Sequence, residues 1–125
     1  MAVGKRERIR FDENGNEIKK PTRYYSTKQE KKVASTFNGR QTKNSGATPF
    51  DSGDVTTDDC LIECKTKMSH SNSISIKKEW LLKIRDEALF MGKPHQALFF
   101  NFGEGEPNYV IISEEYFKEL RNQLI

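Results

Sequence analysis

Long hydrophobic runs are missing from this chain of 125 residues, and no stretch approaches the roughly 20 apolar residues that a membrane-spanning helix requires. The opening Met1-Ala2-Val3-Gly4-Lys5-Arg6 turns charged at once and holds no apolar signal core, so secretion is not expected. Cysteine is scarce, with only Cys60 and Cys64. Four apart on what reads as one strand, their Cα atoms would stand roughly 13 Å apart, beyond disulfide reach. They are expected to be buried thiols of a cytoplasmic protein. With two histidines and no CxxC pair, a structural zinc site is not expected either.

What is abundant is charge. Charged residues make up 31% of the chain against 34% hydrophobic, and mean hydropathy is −0.80. Such a chain has one domain's length and a thin core, with part of it unpacked. The formal net charge of +3 hides an asymmetry. Residues 1–50 hold 12 Lys/Arg against 5 Asp/Glu, net +7, whereas residues 51–125 hold 9 against 13, net −4. A basic front half and an acidic back half suit a polyanion-binding surface beside a cluster of carboxylates. A merely solvated basic tail is the plainer alternative.

Residues 1–25 read as a basic arm or hairpin, with a turn signal at Asp12-Glu13-Asn14-Gly15-Asn16, and residues 26–125 as the folded domain. A first helix is expected over 27–37, with Thr27 as cap, Glu30 completing a capping box, and Asn38-Gly39 as the stop. Val33, Ala34 and Phe37 would form its apolar face, with Glu30 on the same side. A polar, flexible stretch over 40–52 precedes two strands, 53–56 and 60–67, joined as a hairpin by Thr57-Asp58-Asp59. A Ser/Asn/His loop follows, with a short extended piece at 74–76. The strongest helical pattern spans 77–91, where Trp80, Ile84, Ala88 and Met91 make one stripe joined by Leu81 and Leu89. Strands over 97–102 and 109–112 and a last helix over 114–123, capped by Ser113, complete the chain. The last helix has Tyr116, Phe117, Leu120 and Leu124 as its apolar face. The order α-β-β-α-β-β-α describes an α/β (α+β) domain, a small mixed sheet flanked by helices.

Chemistry concentrates between Gly53 and Lys65. On a strand alternate residues share a face, so Glu63 and Lys65 point one way, after Leu61, while Ile62 and Cys64 point to the core on the other. A Glu and a Lys projecting from a buried hairpin are costly unless they pair or bind something. Asp54, on the preceding strand, can lie beside Glu63. Two neighbouring carboxylates repel unless a cation sits between them, and all-oxygen ligation suits Mg²⁺ or Mn²⁺. Lys65, one pleat along, can hold a water and offset charge on a phosphate.

Asp54 … Glu63-Cys64-Lys65 resembles the D…(D/E)xK signature of the PD-(D/E)xK nuclease superfamily, and within it the small Holliday-junction resolvases of archaea and phages. The resemblance spans residues 27–123. It takes in the acidic helix residue Glu30, the loop Asn44-Ser45-Gly46-Ala47-Thr48, Gly53-Asp54-Val55, and the helix and strand that follow. Gly53 replaces the family's proline, the gap of nine residues from Asp54 to Glu63 demands a tight hairpin, and Asp51 competes for the Asp role. The resemblance implies a restriction-endonuclease-like core with Glu30, Asp54, Glu63 and Lys65 as catalytic residues. It implies metal ligation by Asp54, Glu63, the Cys64 carbonyl and Glu30, a Mg²⁺ or Mn²⁺ cofactor, and contact of Ser45 or Thr48 with the scissile strand.

The expected activity is hydrolysis of phosphodiesters in branched DNA, notably four-way junctions, by a homodimer in the cytoplasm (the host's, if phage-encoded). Symmetric cuts in two strands need two sites, which a dimer provides. No membrane partner is expected. Lys28, Lys31, Lys32, Arg40, Lys43, Lys67, Lys77 and Lys78 are candidates for phosphate contact; the last two lie at a helix start, where the dipole disfavours cations. Alternatives are a restriction-like or repair endonuclease of the same fold, a non-catalytic DNA-binding protein, or an adaptor whose arm orders on a partner. Each residue also has a plain reading: Glu30 as the capping-box carboxylate, Glu63 and Lys65 as a cross-strand pair, Asp54 as a turn residue, His70 as a loop residue. Trp80, Phe99, Phe100 and Phe102 read as core.

Overall fold

Cys-Leu-Ile-Glu-Cys-Lys, rich in residues that fit a buried pleat, forms the middle of the sheet. The structure is a computed structural model that describes residues 13–16, 22–42, 54–67 and 69–124, without the side chains of 22–26. Its elements are α1 (Thr22–Thr36), β1 (Arg40–Gln41), β2 (Val55–Thr56), β3 (Cys60–Lys65), α2 (Lys78–Phe90), β4 (His95–Phe100), β5 (Tyr109–Ile111) and α3 (Glu114–Asn122). They make a mixed α+β fold around a five-stranded sheet in the order β1-β2-β3-β4-β5. Only β3 and β4 pair in parallel; the other neighbours are antiparallel. Parallel strands need a long crossover, and α2 supplies it.

Strand alternation divides the core in two. Cys60, Ile62 and Cys64 join Val33, Val55, Ala97 and Phe99 on the α1 side, with Ala34, Ile112 and Tyr116 at its margin. Leu61 meets Ile84 and Ala88 of α2 on the other side, flanked by Met91. Full burial of a Leu or Val side chain contributes about 1.5–3 kcal/mol, so Leu61, Leu98, Val33 and Val55, all fully buried, anchor both layers. Both cysteines are free thiols within this core.

Several expectations require correction. α1 begins at Thr22, so Thr27 lies inside the helix and the capping box does not exist. The helix does stop where Asn38-Gly39 indicated: Asn38 takes φ +53 and the Gly39 amide donates to the Ala34 carbonyl. Arg40–Gln41, expected to be irregular, pair with β2 as an edge strand, which inserts a strand into the expected order. Residues 74–76 form no strand. β4 starts two residues early, at His95, and ends at Phe100, leaving Phe102 outside it. Leu89 is 71% exposed rather than part of the α2 stripe, and Phe37 is 49% exposed, touching the core through the Phe99 ring. α3 has the expected Ser113 cap, which accepts a hydrogen bond from the Tyr116 amide, but buries no residue; Phe117, Leu120 and Leu124 are all exposed. Phe100 and Phe102 are half-buried, and Trp80 is too. Of residues 1–25, those described are the turn at 13–16 and residues 22–25, and the latter belong to α1, so the folded domain begins at least four residues before the expected boundary at 26. Among the described residues no helix is long and apolar enough to cross a membrane.

Candidate active site

Asp54 occupies the bend just before β2, and its backbone is held from both sides. Its amide donates to the Ile62 carbonyl (2.9 Å) and its carbonyl accepts from the Thr42 amide (3.0 Å). That leaves the side chain one well-defined direction, and Oδ2 accepts a hydrogen bond from the Cys64 amide at 2.7 Å. A buried carboxylate thus lies across the backbone of β3 at the residue following Glu63. The turn-residue reading of Asp54 does not account for this contact.

Glu63 and Lys65 share the α2 side of β3 with Leu61, as alternation requires. Glu63 is 17% exposed at its side chain, and the Lys65 ammonium stands 3.5 Å from its Oε1. β3 is central, so Glu63 and Lys65 are not a pair at a sheet edge. Glu30 approaches from α1: it shares a hydrogen bond with Asp54, and Gln41 Nε2 donates to its Oε2 at 3.3 Å. Three carboxyl groups, from a helix, a bend and a strand, therefore act electrostatically on one another.

The cost of that gathering is visible in their protonation. Burial, with Asp54 next, raises Glu30 from 4.5 to about 7. The same two causes raise Glu63 to about 7, against the opposing pull of Lys65 and Lys83. Near neutral pH the cluster holds protons where a cation could replace them. Cys64 points into the opposite core, and burial and Asp54 push its thiol far up, so sulfur is a poor ligand here.

The donor set is thus all carboxylate oxygen, which suits Mg²⁺ or Mn²⁺. Among the described residues, no three His, Cys, Asp or Glu side chains already stand at metal-ligand spacing. Their partners are instead the Cys64 amide for Asp54, the Lys65 ammonium for Glu63, and the Gln41 amide together with Asp54 for Glu30.

Four further residues bear on the site. Gln29, 5% exposed, donates through Nε2 to the Lys65 carbonyl (3.0 Å) and to Asn108 Oδ1 (3.1 Å), tying α1 to the end of β3. Its spacing of four from Val33 was the sequence signal that it faces inward. Glu87 adds negative charge near Glu63, and its Oε2 is buried with no hydrogen-bond partner. It lies seven after Trp80, two turns along the same helix face. Gln41 carried no signal, because its position depends on β1 pairing with β2. Trp80, read as core, lies with its ring centroid 4.6 Å from the Lys65 ammonium.

Of the candidate DNA contacts, Lys31, Lys32, Arg40, Lys77 and Lys78 are exposed and Lys67 is half-buried. Lys28 is exposed and pairs with Glu104. Lys43, Ser45, Thr48 and the competing Asp51 lie outside the described residues. His70 is a loop residue, exposed and paired with Glu106 at 2.9 Å. In comparisons with known proteins, no family model, no curated protein and no solved structure matches the chain.

Proposed function

We propose that this protein is a metal-dependent, structure-selective DNA endonuclease of the PD-(D/E)xK kind, a Holliday-junction resolvase acting as a homodimer. One observation carries the reading: Glu30, Asp54 and Glu63 are drawn into one partly buried cluster beside the Lys65 ammonium. Like charges collected at such cost serve a cation better than they serve stability. Asp54, Glu63, Glu30 and the Cys64 carbonyl are the proposed ligands. When bound, Mg²⁺ or Mn²⁺ supplies Lewis-acid polarisation of a phosphodiester and eases deprotonation of water.

The protein's own groups do the rest. Lys65 orients the attacking water and offsets charge building on the phosphate, worth about 10²–10³ in rate for one such preorganised donor. Asp54 keeps its direction through the Cys64 amide. The exposed cations of α1 and β1 bind the DNA backbone and carry no sequence information, so selectivity rests on junction shape.

The test is incubation with a synthetic four-way junction and with linear duplex of the same sequence. Mg²⁺-dependent nicks confined to the junction and lost with EDTA support the proposal. Equal cutting of both substrates favours a restriction-like or repair nuclease, and binding without cutting leaves a DNA-binding protein.

A further inference from the structure

We infer that Trp80 is a positioning residue for Lys65, holding its ammonium off Glu63 so that this carboxylate stays open to a cation. The inference rests on the nuclease reading and adds to it a residue outside the signature. β3 and β4 are parallel, so α2 runs back along β3. Its first turn therefore lies over the end of β3 and its later turns over the beginning. Trp80 meets Lys65 there, and Ile84 and Ala88 meet Leu61 further down.

Two groups compete for the Lys65 ammonium. One is Glu63, at 3.5 Å, well beyond the roughly 2.7–2.9 Å of a charge-assisted hydrogen bond. The other is the Trp80 ring face, at 4.6 Å from its centroid and within the roughly 6 Å over which a ring attracts a cation; the Lys77 ammonium also approaches this ring, but at 5.8 Å. A lysine has four flexible carbons and no preferred fork geometry, so a second attraction decides where its charge rests. Without the ring, the ammonium closes on Glu63 and takes the oxygen that a metal ion needs. Phe supplies a weaker ring face in nearly the same place; Leu supplies volume and no face.

The contact and its consequence are measured separately. In NMR spectra of the metal-free protein, the Lys65 ε-protons are expected upfield of other lysines in wild type, less so in W80F, and at the ordinary position in W80L. Ordinary Lys65 shifts in wild type overturn the inference whatever the protein does. Free Mn²⁺ counted by electron paramagnetic resonance then gives metal affinity without any need for cleavage. W80L is expected to bind Mn²⁺ about three- to tenfold more weakly, with W80F restoring most of the loss and junction binding unchanged. W80L binding Mn²⁺ as tightly as wild type overturns the inference and leaves the nuclease reading standing. Wild type that binds no Mn²⁺ defeats the nuclease reading, and the inference with it. Circular dichroism on each variant separates these results from misfolding. If W80L does not fold, W80F is read against wild type: a Lys65 shift unmoved by the smaller ring overturns the inference.

Discussion

Asp54 and Glu63 are the residues on which the chemistry turns. Asp54→Asn and Glu63→Gln are each expected to lower junction cleavage by about 10²-fold or more while leaving junction binding intact, measured by gel assays of both. Unchanged cleavage by both variants would reject the site. The raised carboxyls also set a pH dependence. A group whose folded-state pKa is raised from 4.5 to about 7 stabilises the fold below pH 4.5, and that contribution is lost as pH climbs through 7. The metal-free protein is therefore expected to lose thermal stability from pH 5 to pH 8, and Glu63→Gln to lose less. Added Mg²⁺ should raise Tm more at pH 8 than at pH 5, because protons no longer compete for the oxygens. Strand alternation fixes a side chain's face from sequence alone, so Glu63 and Lys65 sit together as expected, opposite Cys64. Glu30 was legible only as an acid on a helix face; its local explanation, the capping box, fails because α1 starts five residues before Thr27. Gln29 was harder to see, since a polar side chain next to a glutamate reads as solvated until tertiary packing buries it.

At the scale of elements, legibility followed how much of an element's stability is its own. α2 carries its apolar stripe within itself, and its limits fell within a residue of expectation. β1 has two residues and exists only because β2 pairs with it, so no local pattern marks it. Leu89 misled because hydrophobicity does not tell which side of a helix meets a sheet already covered by Ile84 and Ala88. Denaturant unfolding should separate these roles. Leu61→Ala, emptying the joint between β3 and α2, is expected to cost about 2–5 kcal/mol. Leu89→Ala should change stability by no more than about 0.5 kcal/mol. Ser113→Ala removes the hydrogen bond to the Tyr116 amide and is expected to cost about 1 kcal/mol; no change in unfolding would show that α3 contributes little to the cooperative fold.

For the molecule as a whole, the sequence marked an α+β domain with opposed charge halves but not what covers the exposed apolar residues of α3. Lys31, Lys32 and Arg40 are exposed on α1 and β1, the elements that carry Glu30 and its partner Gln41. Junction affinity should therefore fall steeply with salt, and each Lys→Ala change among these residues that removes a phosphate contact should reduce the slope of log K against log salt by about 1. The most direct measurement is a crystal structure of the protein grown with Mn²⁺, using the anomalous signal of manganese. A single peak ligated by Asp54 and Glu63, with Glu30 turned toward it and the Lys65 ammonium kept beside Trp80, is the expected result. No peak between those carboxylates, or carboxylates facing separate patches of solvent, would contradict a metal-dependent active site.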